Sequence, residues 1–567
     1  MSDKPTALSL TTAVRLAHPT ASRRLFLGAG MSALGSLALA ACGANSATSS
    51  SSGTATAGGT LRILTSETDL NWDPAKSQSM PMTSLALVHR RLTTWSLAPG
   101  KPVELVPDLA TDTGTVSSDG LSWTFTLKKG LVLSDGTPLT SAHIKHGVER
   151  SFAPALAGGL TYHKALLAGA QDYEGPYEGK HLDSIQTPDD STIVFQLTRA
   201  FGDWPWIVAQ GAFAPVPQGD DPATYTASPI ASGPYVVAQA AQGSSVTLER
   251  NPHWSADTDQ VRLALPDSIV FELSQDESTA SQRLIADSGQ DRTAFGADRV
   301  SAAQLAQVTA NPAAKDRLAT TPDGGPATYL AINVERVTDP QVRQAIAHAV
   351  DKAAVVAALG GELGAVSAST LITPGIPGRQ DYDLYPTDPG KAASLLEGKE
   401  VPSLVLLTQN SAAHQAVAQA VEQSLKEAGL SVTIDPQTSE AFNERATQGD
   451  GSTYDLAIAS WNPDYPSANA NIQPLFASSE IGKGGHNISR YSNEKVDAAI
   501  AEAAANLDTE AARSQWAELD RAIAQDVPVV PLAFRRNSFL RGSGVQGFFV
   551  DSYPAYPSYQ VVGVSGS

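Results

Sequence analysis

The sequence predicts an α/β fold, and three stretches carry that reading. In the first, Leu404–Leu407 is an apolar run, Val417, Val421 and Leu425 mark one helix face, and Leu430, Val432 and Ile434 alternate. Strand, helix and strand in that order form a βαβ unit with parallel pairing. In the second, Asp339-Pro340 opens a helix with aspartate as N-cap and proline in the first turn. In the third, Tyr454–Trp461 is an apolar strand running into Asn462-Pro463-Asp464-Tyr465-Pro466. Such a loop, beyond a strand's carboxyl end, is where α/β sheets bind ligands.

The elements follow in chain order. Gly58-Gly59-Thr60 leads into Leu61–Leu64, a short apolar run suited to a first strand. Trp123, Phe125 and Leu127 alternate with polar residues, the period of a half-buried strand. Asp135-Gly136-Thr137-Pro138 is a turn, and Thr140-Ser141 caps a helix running to about Phe152. Asp189-Asp190 turns into a strand over 192–197. Beyond Asp339, an apolar stripe at Val342, Ile346, Ala349 and Ala353 extends one helix past residue 350. Gly429 ends the helix that carries Leu425.

Composition bounds the function. The 567 residues are 42% hydrophobic and 17% charged, enough for roughly three or four domain-sized units with a large core. A net charge of −19 with no basic run argues against a nucleic-acid partner, because phosphate binding needs concentrated positive charge. One cysteine excludes an intramolecular disulfide and a cysteine-based zinc cage.

That cysteine, Cys42, closes an export signal. Arg23-Arg24 precedes seventeen uncharged residues from Leu25 to Ala41. This is short for a bilayer span of about twenty apolar residues, and it fits the apolar region of a signal peptide, with twin-arginine and general export both open. Leu39-Ala40-Ala41-Cys42 resembles a bacterial lipobox, which implies cleavage before Cys42 and a lipid on its sulfur. Residues 43–60 hold only Gly, Ala, Asn, Ser and Thr, a flexible tether. The body is expected outside the cell, at the outer face of the cytoplasmic membrane.

No catalytic constellation stands out. There is no Gly-x-Ser-x-Gly elbow, no phosphate-binding loop and no His-Glu-x-x-His. His143 and His146 lie three apart on a helix, but two ligands do not close a metal site. Asp189-Asp190 and Asp220-Asp221 read as solvated turn caps. Neither a metal nor a cofactor is expected.

Residues 119–152, DGLSWTFTLKKGLVLSDGTPLTSAHIKHGVERSF, resemble the signature of the extracellular solute-binding proteins of the peptide/nickel class, the receptors of dipeptide and oligopeptide ABC importers. GGTLRIL at 58–64, LNWDPAKS at 70–77, RNPHW at 250–254, YLAINVERVTDPQVRQAIAHAVDK at 329–352 and YDLAIASWNPDYPS at 454–467 extend the likeness over most of the chain. The resemblance implies a two-lobed, periplasmic-binding-protein-like fold with a hinge and an inserted third domain. After a signal peptide at 1–41 and a tether at 42–57, lobe I takes 58–102, 229–328 and 526–567. The inserted domain takes 103–228 and lobe II takes 329–525.

The resemblance also implies a receptor rather than an enzyme. It would be a monomer that holds an extended peptide by its main chain and delivers it to a permease. Trp461 and Asp464 match a Trp-x-x-Asp motif whose carboxylate meets the ligand's α-ammonium, with Asn462 beside them; the alternative is an aspartate that braces the loop. A second Asp-Pro usual in this motif is replaced by Ser467-Ala468. Gln78-Ser79-Met80 resembles the stretch that pairs with the ligand from the other lobe, and Asn333 reads as a structural hydrogen-bonding residue. A metal chelate, a sugar or an amino-acid conjugate is the alternative solute, and an exported hydrolase or an envelope chaperone the alternative class.

Overall fold

A computed structural model describes residues 56–76 and 84–565, and its larger sheets are three. Cys42 and Gln78-Ser79-Met80 lie outside the described residues. The first sheet has five strands, in the order Ala294–Gly296, Thr60–Leu64, Ser268–Glu272, Ser245–Arg250 and Tyr235–Ala241. Thr60–Leu64 pairs in parallel with both neighbours, and Leu61 and Ile63 share a core with Trp72, Phe271 and Phe295. Strands distant in sequence meet here because each brings an apolar face that no local partner covers.

The second sheet is antiparallel, with Ser122–Thr126 paired to Thr192–Gln196. Trp123 and Phe125 are buried and Thr126 is exposed, so the alternation read from the sequence sets the inward face. Against this sheet lies the helix Ser141–Arg150, capped at Thr140. His143 Nδ1 accepts from the Thr140 backbone N–H at 3.0 Å and completes a capping box.

The third sheet has six strands, in the order Ala365–Ser367, Val529–Arg535, Ala327–Ile332, Leu456–Trp461, Leu404–Gln409 and Val432–Gln437. Leu404–Gln409 pairs in parallel with Val432–Gln437 across the helix Ala412–Glu427, the βαβ unit of the sequence. Val417, Val421 and Leu425 are fully buried on that helix. The chain passes between the first and third sheets at two points, and Leu318–Thr320 and Ser538–Leu540 pair beside them.

Three expectations are corrected. The helix at Pro340 ends at Ala349. The Asp351 carboxylate accepts from the N–H groups of Ala353 and Ala354 and starts a separate helix, Lys352–Ala358. Asp220 is no solvated cap, since its side chain is 2% exposed and bonded to His146 and Arg150. The segment after residue 526 first contributes Val529–Arg535 to the six-stranded sheet, because that strand hydrogen-bonds to Ala327–Ile332. It reaches the first lobe only from Ser538 onward.

Buried charge ties the antiparallel segment to the first lobe. Asp108 accepts from Arg90 Nε at 2.8 Å and from Arg262 Nη2 at 2.8 Å, and Arg262 also donates to Asp259 at 3.0 Å. Burial alone would raise the Asp108 pKa, but Arg262 and Arg90 outweigh it and hold the carboxyl well below its ordinary range. Nearby, Arg150 clasps both oxygens of Asp73, at 2.6 and 2.8 Å. Removing one partner of a buried pair leaves the other uncompensated, at about 3–5 kcal/mol. Asp108→Asn is therefore expected to lower the urea midpoint, followed by tryptophan fluorescence. An unchanged midpoint would show that the network contributes little.

Candidate functional site

The loop after Leu456–Trp461 meets residues some 300 positions away in the chain. Asp464 Oδ2 accepts a hydrogen bond from Tyr162 Oη at 2.6 Å. Tyr162 begins the helix Tyr162–Leu166, on the side of the antiparallel sheet. Its ring also meets the Tyr465 ring edge-on, with centroids 5.3 Å apart. Further along the loop, Ser467 Oγ donates to Asp203 Oδ2 at 2.6 Å. Beside that bond, the Gly202 N–H donates to the Ala504 carbonyl at 2.8 Å. A Cβ on Gly202 would lie 2.2 Å from the Asn506 oxygen, so only glycine lets these two backbones come so close.

Among the described residues, neither carboxylate in this contact has a cationic partner within ion-pair distance. Burial raises the Asp464 pKa, and the Tyr162 hydrogen bond and the His486 charge only partly offset it. Burial likewise pushes Asp203 up to about 6, against the smaller opposing effect of Ser467. Tyr162, Tyr465 and Tyr553 have pKa values raised by burial and by neighbouring carboxylates, so they face the site as neutral phenols. The arrangement offers a desolvated anion, neutral donors and aromatic walls.

The described residues singled out in the sequence lie at two places. Trp461 and Asp464 stand together: Trp461 is half-buried, its Nε1 donates to the Ala470 carbonyl at 2.8 Å, and its ring lies 5.0 Å from His486. Asn462, between them, is half-buried. Asn333 lies elsewhere, buried, its Nδ2 donating to the carbonyls of Gly451 and Tyr454 at 2.8 and 3.1 Å. Tyr162 and Asp203 were not anticipated, since nothing local in the sequence marks partners 302 and 264 residues away, and Ser467 had been noted only as a departure from the motif. Tyr465 alone had a signal, as an aromatic neighbour of Asp464 in the same loop. Among the described residues no grouping of three or more His, Cys, Asp or Glu could hold a metal ion.

Residues 104–483 match the family described as bacterial extracellular solute-binding proteins, family 5. The chain belongs to that family. A glutathione-binding protein, GsiB, of Salmonella choleraesuis is 26% identical over 460 residues, 77% of this chain and 82% of that protein. A probable di/tripeptide-binding protein of Pseudomonas aeruginosa is 25% identical over 527 residues, 88% of this chain and 94% of its own length. The solved structure of clavulanic acid biosynthesis oligopeptide binding protein 2 superposes with a TM-score of 0.83 at 30% identity. It covers 90% of this chain and 96% of its own. The family 5 chain thus has the two-lobed solute-binding fold, and the contact between Asp464 and Tyr162 joins the loop after Leu456–Trp461 to the helix Tyr162–Leu166. Among the described residues no helix is long and apolar enough to cross a membrane.

The raised acid at Asp203 sets a pH dependence. A carboxyl whose folded pKa lies above the ordinary 3.8 takes up a proton on folding, so stability falls as pH rises through about 4 to 6. Asparagine at this position imitates the protonated acid. Asp203→Asn is expected to melt higher than the wild type at pH 7, with the difference shrinking as pH falls toward 4. A difference independent of pH would mean that Asp203 is not desolvated in the folded protein.

Proposed function

We propose that the protein captures short peptides between its lobes outside the cell and hands them to the permease of an ABC importer. The observation that carries this reading is Asp464, a desolvated carboxylate that, among the described residues, accepts from a phenol, feels the charge of an imidazole and forms no ion pair. Such a group is stabilised when a ligand supplies the missing cation, and a peptide's α-ammonium does so with charge-assisted hydrogen bonds. Trp461 and Asn462 flank that subsite from lobe II, and the backbone at Gln78-Ser79-Met80 pairs with the peptide main chain from lobe I. The peptide-related names of the Salmonella and Pseudomonas relatives support this solute class. Lobe I comprises 58–102, 229–328 and the end of the chain, with 103–228 inserted and 329–525 as lobe II. A lipid on Cys42 holds the receptor at the membrane, and the protein works as a monomer.

Two experiments follow. Losing one partner of a buried charge pair costs about 2–5 kcal/mol, or roughly thirtyfold to a few thousandfold in affinity. Asp464→Ala is expected to weaken a free-amine peptide by that factor in isothermal titration. N-acetylating the peptide should weaken the wild type and matter far less in the variant. Equal losses in both would make Asp464 a loop brace. For the anchor, radiolabelled palmitate is expected in the wild type and not in Cys42→Ala; label persisting in the variant would refute lipidation at that residue.

A further inference from the structure

A second acid near Asp464 has no answering cation. Asp203 stands just before the short helix Trp204–Ile207 and forms no ion pair among the described residues. Arg513 is the cation whose charge reaches it, and that guanidinium is itself hydrogen-bonded to Glu510. A carboxylate offers about four acceptor positions. Among the described residues Ser467 Oγ, at 2.6 Å, is the one side-chain donor that closes a hydrogen bond on Asp203. The Asn469 amide lies close enough to lower the Asp203 pKa, yet neither its Nδ2 nor its Oδ1 completes a hydrogen bond, although the residue is 1% exposed. A buried amide left open in this way costs free energy until a partner fills it. Asp203 keeps part of its own surface accessible, so the carboxylate is within reach of an incoming group.

The two acids share one environment. Tyr465 is buried, and the charges of both Asp203 and Asp464 raise its pKa, so one phenol lies near both carboxylates. Ser467 and Asp464 are three residues apart in one loop, which limits their backbone separation to about 10 Å. A single residue with a long, flexible basic side chain spans such a gap, its α-ammonium at Asp464 and its side-chain cation at Asp203. Ser467 also stands where the motif around Trp461 and Asp464 usually has aspartate. This chain therefore brings a carboxylate to Ser467 from the facing segment. A desolvated acid costs stability in the unliganded protein, and a cation brought by the ligand offsets the cost.

We propose that Asp203, with Ser467 and Asn469 beside it, receives a second cationic group of the ligand, so that the receptor selects peptides that begin with a basic residue. The proposal rests on the reading of Asp464 as the ammonium subsite. The test presents the full-length protein with two pools of short peptides that differ only at the N-terminus, lysine in one and norleucine in the other. Norleucine keeps the lysine stem and lacks its ammonium. Each pool is offered with a free and with an acetylated α-amine, and affinities are ranked by competition and measured by isothermal titration. The wild type is expected to favour the lysine pool by on the order of thirtyfold or more, and Asp203→Asn to bind the two pools alike. Acetylating the α-amine should still weaken binding to Asp203→Asn, because Asp464 is intact. A wild type that discriminates against acetylated peptides but treats lysine and norleucine alike keeps the Asp464 reading and overturns this one. That comparison needs no variant to fold. Binding of neither pool overturns both readings. A lysine preference that survives in Asp203→Asn makes Asp203 a contact between two segments of the chain and no part of the ligand site.

Discussion

Everything in the cleft depends on how the inserted segment is seated. Asp108 lies between Arg90 and Arg262, all three with side chains no more than 2% exposed. A carboxylate so enclosed cannot be solvated, and it is stable only while both guanidiniums keep their places. Arg150, gripping Asp73 and Asp220, fastens the same segment at a second point. Two charged clamps at separate positions fix orientation as well as contact. Tyr162 and Asp203 are carried by that segment, so their placement opposite Asp464 and Ser467 is inherited from the clamps.

Across the cleft the logic reverses. The clamps pair each acid with strong cations, whereas Asp464 and Asp203 meet hydroxyl groups. Neutral donors compensate a desolvated carboxylate only in part, which is why both acids have raised pKa values. Opening the lobes would rehydrate these acids and leave the clamps intact. A closed form is thus held by weak bonds over an electrostatic deficit, which a cationic group on the proposed ligand would remove. The thin connection between the lobes, beside Leu318–Thr320 and Ser538–Leu540, suits such a motion because few residues have to rotate.

Much of this was legible in the sequence, for physical reasons that differ by residue. The βαβ unit was readable because Val417, Val421 and Leu425 repeat at helical spacing and Gly429 takes a φ of +90°. Asp464 stood out through the resemblance of Trp461-x-x-Asp464 to a family motif, and its place beyond the carboxyl end of a strand was readable from the apolar run before it. The break at Val350 was missed because the apolar stripe continues across it, while the cap at Asp351 is a local polar event that the stripe does not record. Asp220 was misread because a polar pair in a turn looks alike whether solvent or Arg150 lies opposite. Tyr162 and Asp203 were invisible, since their meaning lies wholly in contacts made over more than 260 residues.

The central claim is that the solute meeting Asp464 is a short peptide. Native mass spectrometry of the protein purified from its own host tests this most directly, because it weighs whatever fills the cleft. The expected result is a mass excess that is released on unfolding and fragments as a short peptide with a free amine. A released sugar or metal chelate, or a complex carrying no amine, would contradict the account.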